Sequence, residues 1–274
     1  MYRRSFLALA GVIYSSRLFA ASGNAFQAFD NGLAAVSDID ILNAQRQREF
    51  DFRTFKQVEA QGKAYRRRSK RNISERAIDL IVRFEVSGRA VYERKLVHPI
   101  WPKGNSGVTI GVGYDIGYVN AAQFAEDWKS IIDSEAIGLL QTVANLTGGK
   151  ASAALPTVKS TAVPWDAAMK QFRNFLPCVI AETEDAFPNT DKLTDNSFGA
   201  LVSLVYNRGS KVSPGNARRK EMYNIHQLMV AQNFSAIPGQ ITAMKRIWEG
   251  DPAMKGLLER RDLESFLFEA GLTT

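Results

Sequence analysis

Residues 72–85 of the chain read NISERAIDLIVRFE, and this run contains the most informative residue of the sequence. Apolar residues recur in it at helical spacing, at Ile78, Ile81 and Val82, and form one stripe of an amphipathic helix. The next position on that stripe is Glu85. A carboxyl group at the end of an apolar stripe is removed from water, and burial favours its protonated form. We therefore interpret Glu85 as a candidate general acid, because a general acid must hold a proton until the reaction takes it.

A second candidate site follows in residues 106–118, which read SGVTIGVGYDIGY. The residues alternate, so that a straight strand would carry its large apolar side chains on one face and Thr109 and Asp115 on the other. Such a strand would place Thr109 and Asp115 on the order of 20 Å apart. Both can serve one bond only if the chain turns between them, and Gly111 and Gly113 permit a turn. The alternative is a β-hairpin whose glycines merely serve the turn.

The rest of the sequence predicts a mostly helical body. Helical patterns run through about 120–145, 164–187, 194–208, 216–233, 239–248 and 254–270. The stretch 99–118 is predicted as strand and loop, and 147–156 as loop because of its Gly, Ser and Pro content. We predict three regions: a signal-like export segment at 1–21, a lead-in at 22–71, and a catalytic domain at 72–274.

Composition and cysteine count limit the classes of protein to which the chain can belong. With 274 residues, 45% of them hydrophobic, the chain is long enough to fold around its own core. Its one cysteine, Cys178, cannot form an intramolecular disulfide and is expected to be a small buried side chain. Two histidines leave little for a zinc site, so neither a metal nor an organic cofactor is predicted. The net charge of +7 suits an anionic partner, either a cell wall or a nucleic acid.

The amino terminus resembles an export signal. Arg3 and Arg4 precede a short apolar run at 6–13, and Ala20 offers a small residue at a cleavage point. The apolar run is too short to span a bilayer, so no stable membrane span is predicted. The expected location is periplasmic or secreted. The alternative is an amphipathic end that touches a membrane.

The lead-in is expected to be poorly packed, with one or two helices. It ends in a basic run at 63–71, KAYRRRSKR. Such a run binds nucleic acid in some proteins but more often serves as a solvated tether. We favour the tether and expect no nucleic-acid partner.

Three motifs together resemble the phage-type lysozymes of glycoside hydrolase family 24, and they occur in that family's order. The first is Glu85 with Gly88 and Tyr92, followed by TIGVG at 109–113. The second and third are ALVSLVYNRG at 200–209 and GLLERRDLESFLF at 256–268. The resemblance covers about residues 72–270. It implies a mainly α, lysozyme-like α+β fold, in which a helical body carries a small β-hairpin lobe that bears the active-site cleft.

The position of the second carboxylate departs from the phage pattern. Phage lysozymes carry an aspartate between the catalytic glutamate and the threonine, whereas no aspartate lies between residues 85 and 109 here. In this respect the chain is similar to the lysozyme-like domain of pesticin, where the aspartate follows the threonine. Asp115 fits that arrangement and is assigned the second role, with Glu93 in reserve.

The resemblance implies a muramidase that cleaves the β-1,4 bonds of peptidoglycan glycan strands. Glu85 would protonate the glycosidic oxygen, Asp115 in a wetter setting would activate water, and Thr109 would position that water. The predicted substrate contacts are Trp101, Gly111, Gly113, Tyr114 and Arg208. Trp101 is equally compatible with a place in the core of the lobe. An immunity or inhibitor protein is a further partner that such an enzyme would have.

Two alternatives stay open. Four charged residues of the second and third motifs either bind carboxylates of the wall or lock the helical body by ion pairs: Arg208, Arg260, Arg261 and Glu264. The spacing of Arg260 and Glu264 at i, i+4 favours ion pairs. The altered carboxylate position also leaves room for a wall-binding module that keeps the cleft but lacks turnover.

Overall fold

The computed structural model describes residues 22–44 and 66–273. This part of the chain is mainly helical and contains a small two-stranded antiparallel sheet, as the sequence predicts. The strands are β1 (Thr109–Ile110) and β2 (Tyr114–Asp115). The helices before them are α1 (Ser22–Ala35), α2 (Asp38–Ala44), α3 (Glu75–Val86) and α4 (Arg89–Lys95). Those after them are α5 (Ala121–Trp128), α6 (Ser134–Gln141), α7 (Gly148–Val158), α8 (Trp165–Ala186), α9 (Asp195–Arg208), α10 (Lys220–Val230), α11 (Ile237–Ala243) and α12 (Lys255–Leu272).

Helix α3 begins and ends as its sequence dictates. The side chain of Ser74 caps its first turn by accepting a hydrogen bond from the amide of Ala77 at 3.2 Å. Ser87 ends the helix in a left-handed conformation, with φ of 59°. The predicted stripe is buried along its whole length, from Ile78 to Glu85.

Helix α9 is the centre of the core. Nearly all of its side chains are buried, and it packs against α3, α8 and α12. A helix that is buried on every side has no polar face to give it a helical period, which is why its neighbours cannot be read from its own sequence. The last helix, α12, is the other hub and also contacts α1, α2 and α11.

Two helix predictions need correction. The run predicted at 120–145 is broken into α5 and α6, because Ser130 has φ of 61° and the side chain of Asp133 caps a new helix by accepting from the amide of Ala136. The loop predicted at 147–156 is helix α7. Its glycines lie in the first turn, the alanines that follow are strong helix formers, and Ala151 is buried in the core.

The described part of the lead-in is packed rather than loose. Phe29 on α1 and Ile41 on α2 are fully buried in the same core as α12. Ion pairs reinforce the contact, as Arg83 binds Asp38 at 2.6 Å and Lys255 binds Asp40 at 2.7 Å. The export segment predicted at 1–21 lies outside the described residues. None of the helices within 22–44 and 66–273 has the length and apolar character needed to cross a membrane.

The basic run is not a solvated tether where the structure describes it. Arg66 binds Asp127 at 2.7 Å, and Arg67 binds Glu184 and Asp185. Arg71 lies over the ring of Phe198 and donates to backbone carbonyls before α9. These residues attach the chain to the helical body, because they form ion pairs with its carboxylates and hydrogen bonds with its backbone carbonyls.

Candidate active site

Helix α3 delivers Glu85 into the interior. Its side chain is 5% exposed, and Phe84 and Val86 beside it are buried as well. The burial predicted from the apolar stripe is therefore confirmed. Its surroundings are not wholly apolar, because Oε1 accepts a hydrogen bond from Nη1 of Arg260 at 3.0 Å.

Arg260 joins Glu85 to a buried network on α9 and α12. Its Nε donates to Oε1 of Glu264 at 3.1 Å, and its Nη2 donates to the carbonyl oxygen of Ser203 at 3.0 Å. Ser203 Oγ and Arg261 Nη2 also donate to Oε1 of Glu264, at 2.7 Å and 2.9 Å. The interpretation of Arg260, Arg261 and Glu264 as a structural ion-pair cluster is confirmed, and one arm of that cluster reaches the candidate acid.

The glycine-spaced segment turns back on itself. Thr109 pairs with Asp115 across the antiparallel sheet, and Gly111 and Gly113 have φ of 57° and 72°. The amide of Gly113 donates to the carbonyl of Gly111 at 2.9 Å, which closes the turn. The turn predicted from the two glycines is confirmed. Thr109 and Asp115 thus project from the same face of the hairpin, since directly paired residues of two strands share a face.

A cavity of about 20 Å³ lies between α3 and this hairpin. Glu85, Thr109, Gly111 and Gly113 line it, together with apolar residues of α3 and of the segment before the hairpin. That volume suits one water molecule. The predicted acid, the predicted water-positioning hydroxyl and the two predicted glycines therefore meet at one place.

Asp115 lies apart from that lining and is held by backbone amides. Both of its carboxylate oxygens accept from the amide of Gly107 at 3.0 Å, and Oδ1 also accepts from the amide of Gly117 at 2.9 Å. The side chain is 7% exposed, so the wetter setting predicted for it is wrong. The alternation of the sequence could not reveal this, because the amides come from loop residues on both sides of the hairpin.

The backbone hydrogen bonds to Asp115 depend on two glycines. A Cβ atom on Gly107 would overlap Oδ1 of Asp115 and the backbone of Gly117. A Cβ atom on Gly117 would overlap the backbone of Gly107 and the carbonyl of Leu146. The backbones approach each other so closely only because neither residue has a side chain.

Tyr114, predicted as a substrate contact, lies outside the lining of the cavity. Its ring packs edge-on against Phe124, Trp128 and Phe175, and its hydroxyl donates to Oδ2 of Asp127 at 2.6 Å. Burial, and next the charge of Asp127, raise the pKa of the Tyr114 phenol. The phenol therefore stays a donor and anchors the back of the hairpin.

Three other predicted residues lie outside the cavity lining. Trp101 is half-buried against the core and donates from Nε1 to the carbonyl of Ser106 at 2.9 Å, which fits the lobe-core interpretation. Arg208 is 1% exposed, donates to the carbonyl of Arg218, and does not reach solvent to bind a wall carboxylate. The reserve carboxylate, Glu93, forms an exposed pair with Arg89 on α4.

Sequence reasoning gave no role to Tyr206, which the structure places at the hairpin. Its hydroxyl donates to the carbonyl of Val112, between the two turn glycines, at 2.8 Å. Tyr206 is part of the motif at 200–209, so a signal was present. The motif alone did not indicate that the tyrosine reaches across 94 residues of chain to the hairpin tip.

Cys178 is buried, as predicted, and burial raises the pKa of its thiol. Within residues 22–44 and 66–273 no group of three or more His, Cys, Asp or Glu side chains is arranged to hold a metal ion.

A comparison with protein families matches the phage lysozyme family over residues 106–264. The matched region begins just before the hairpin and ends at Glu264, so it contains Thr109, Asp115 and Arg260. Helix α3, with Glu85, precedes it. No curated protein matches the chain.

Proposed function

Because the chain belongs to the phage lysozyme family, a family of glycoside hydrolases, we propose that it is a muramidase acting on peptidoglycan. The reaction is hydrolysis of the β-1,4 bonds of the glycan strand. The observation that carries the proposal is the cavity in which Glu85 meets Thr109 and the turn glycines. It joins a residue outside the family match to residues inside it.

Glu85 is the general acid in this mechanism. Its proton passes to the glycosidic oxygen as the bond to the sugar C1 breaks, so the leaving saccharide departs as a neutral alcohol. Arg260 holds one carboxyl oxygen and fixes the direction of the group. Burial excludes bulk water, which would otherwise compete with the glycosidic oxygen for the proton.

Thr109 positions the attacking water. Its hydroxyl belongs to a cavity of one-water size beside Glu85, and its strand is fixed by pairing with β2. A hydroxyl both donates and accepts hydrogen bonds, so it can orient a water molecule for attack on the sugar.

Asp115 is the second carboxylate in our proposal, in the order seen in the lysozyme-like domain of pesticin. It lies opposite Thr109 in the hairpin register. In an inverting reaction the attacking water passes its proton to this carboxylate, and the two carboxyl groups stand roughly 6.5–9.5 Å apart. The amides of Gly107 and Gly117 keep the group on the Thr109 side of the sheet.

The main test is digestion of purified peptidoglycan followed by mass spectrometry of the products. The wild type should release hydrolysed muropeptides with reducing ends, and Glu85→Gln should lower the rate by about 10²–10⁴-fold. Glu135→Gln is the matched control, because Glu135 is an exposed carboxylate on α6 and has no proposed role in the reaction. Products with anhydro ends would contradict hydrolysis, since water would not be the acceptor.

The hydrogen bonds that backbone amides donate to Asp115 also favour a second candidate, a wall-binding module without turnover. Asp115→Asn separates the two roles of this side chain. A catalytic carboxylate predicts a loss of kcat of at least about 100-fold with little change in thermal stability. If activity falls only in proportion to the fraction of folded protein, Asp115 has a structural role and holds the loop in place. A wild type that binds sacculi and releases nothing supports the module.

Export to the periplasm or the medium is part of the proposal, because peptidoglycan lies outside the cytoplasmic membrane. The support is the signal-like pattern at 1–21. Mass spectrometry of the protein recovered from the periplasm tests it, as the mature chain should lack about its first twenty residues.

A further inference from the structure

The last turn of helix α3 is held from outside by Arg83, two residues before Glu85. Nη1 of Arg83 donates to the carbonyl of Ser87 at 2.6 Å and to Oδ1 of Asp38 on α2, also at 2.6 Å. Its Nη2 donates to the carbonyl of Val36, in the junction between α1 and α2. One guanidinium group therefore joins the end of the helix that carries Glu85 to the two helices of the lead-in.

The hydrogen bond from Arg83 to Ser87 spans Glu85. Carbonyl groups at the end of a helix have no partner within the helix, and a cation there offsets the negative end of its dipole. Ser87 is buried and leaves the helix with φ of 59°. The chain then turns through Gly88, whose φ is 96°, into α4, and Leu96 after α4 lines the same cavity as Glu85. Arg83 thus fixes the corner between α3 and α4, which contributes part of the cavity lining.

The lead-in meets helix α3 through opposite charges at both ends of that helix. Asp38 pairs with Arg83 in the last turn, and Asp30 on α1 pairs with Arg76 in the first turn at 2.9 Å. The side chains of Asp38 and Asp30 are 43% and 44% exposed. Both pairs hold the lead-in against α3, but only the pair of Asp38 lies beside Glu85. The lead-in and α3 also precede the matched family region, residues 106–264.

We propose that Arg83 is a positioning residue for the general acid, and that it makes turnover depend on the docking of α1 and α2. Asp38 and the carbonyl of Val36 hold the guanidinium group in place, and the group in turn holds the carbonyl of Ser87. A displacement of about 1 Å in a catalytic group can cost about 10²-fold in rate. The inference rests on the proposed function, because it concerns the direction in which Glu85 presents its proton.

Steady-state kinetics on soluble peptidoglycan fragments test the proposal in the full chain, with Asp30→Asn as the matched control for Asp38→Asn. Each variant takes one carboxylate of nearly equal exposure away from an arginine of α3. Asp38→Asn should lower kcat at least about fivefold with little change in KM, whereas Asp30→Asn should keep kcat within about twofold. Asp38→Glu should retain most of the wild-type kcat, because it keeps the carboxylate. Equal kcat values in Asp38→Asn and Asp30→Asn, compared per folded molecule, would overturn the proposal.

A double variant tests whether Asp38 acts through Arg83. Arg83→Gln should lower kcat at least about tenfold, because it removes the donor to Ser87 as well as the contact with the lead-in. Arg83→Gln/Asp38→Asn should be no slower than Arg83→Gln alone, since residues that share one interaction are not additive. Losses that multiply in the double variant would overturn this route.

Hydrogen exchange of the backbone amides at 87–92, followed by mass spectrometry, separates this proposal from the proposed function. Exchange at this corner should be faster in Asp38→Asn than in the wild type and unchanged in Asp30→Asn. A wild type that cleaves peptidoglycan, with neither slower turnover nor faster exchange in Asp38→Asn, overturns the role of Arg83 alone. A wild type that cleaves nothing overturns the proposed function, and the exchange rates then decide whether Arg83 holds the corner.

Discussion

Arg260 serves two buried carboxylates at once, Glu85 on α3 and Glu264 on its own helix. All three side chains are almost fully withdrawn from water. The guanidinium group can do this because its fork presents several donors in fixed directions. The orientation of the Glu85 carboxylate and the stability of the helical body therefore depend on the same cation.

Replacing Arg260 with methionine should be strongly destabilising. The change leaves Glu85 and Glu264 without their shared cation, and breaking a buried pair from one side costs about 3–5 kcal/mol. Urea unfolding followed by circular dichroism measures the loss. Arg260→Lys is the companion variant. Its single ammonium group keeps the charge but cannot reproduce the fork, so we expect its activity on peptidoglycan to fall by a larger factor than its folding equilibrium constant. An unfolding free energy unchanged in Arg260→Met would contradict the role of the network.

At the level of single residues, the sequence predicted the features that depend on the spacing of nearby residues, namely burial and ion pairing along a helix. The burial of Glu85 follows from its helical stripe, and the pair of Arg260 with Glu264 follows from i, i+4 spacing. The contact between Arg260 and Glu85 joins positions 175 residues apart, and no periodicity reports on such a distance. The amides that hold Asp115 were missed for a related reason, since backbone donors carry no sequence signal.

The hairpin is fastened on both sides, although its two strands are only two residues long each. Tyr206 from α9 holds the carbonyl of Val112 at its tip. Tyr114 reaches from its back to Asp127 on α5, where Arg66 binds the same Oδ2 atom. So short a sheet has little stability of its own, and these anchors fix where Thr109 and Asp115 stand.

A double-mutant cycle tests the back anchor. Tyr114→Phe and Arg66→Gln each remove one donor from the same oxygen of Asp127, so their effects on the free energy of unfolding should be coupled by about 0.5–3 kcal/mol. The control cycle pairs Arg66→Gln with Tyr206→Phe, whose hydroxyl donates to Val112 and not to Asp127, and it should be additive within about 0.5 kcal/mol. Additivity in both cycles would show that Asp127 does not link the basic run to the hairpin.

At the level of elements, helix existence was predicted better than helix boundaries. The long helices α8, α9 and α12 agree with the sequence to within about two residues, since strong apolar patterns define them. Helix α7 was missed because Gly, Ser and Pro were weighed without the alanines between them. The break between α5 and α6 depends on a positive φ at Ser130, and a serine in the sequence does not predict that conformation.

On the scale of the whole molecule, the described lead-in helices are part of the same body as α12. The aromatic ring of Phe29 is fully buried, and Arg76 from α3 pairs with Asp30 beside it. The sequence did not predict this packing, because α1 carries scattered aromatics without a clear stripe. Scattered apolar residues can still be buried when a large partner surface such as α12 receives them.

Phe29→Ala should therefore destabilise the entire protein and not only its amino-terminal part. Removing a buried phenylalanine costs about 3–5 kcal/mol, as transfer and cavity terms add. Differential scanning calorimetry should show one transition shifted to lower temperature. Ile39→Ala is the control on the neighbouring helix, because Ile39 is 69% exposed and such changes stay within about 0.5 kcal/mol. A separate early transition in Phe29→Ala would show that α1 and α2 melt independently.

The mutual contact of Gly107 and Gly117 has a consequence for recognising distant relatives. A substitution at either position must displace the loop that holds Asp115, so we expect the two glycines to accompany the aspartate in related chains. A chain that retains the spacing Gly-x₇-Asp-x-Gly after a buried helical glutamate is thus a candidate for the same hairpin, even where the overall identity is too low to align. A chain that carries a side chain at either glycine must hold the corresponding aspartate by some other means.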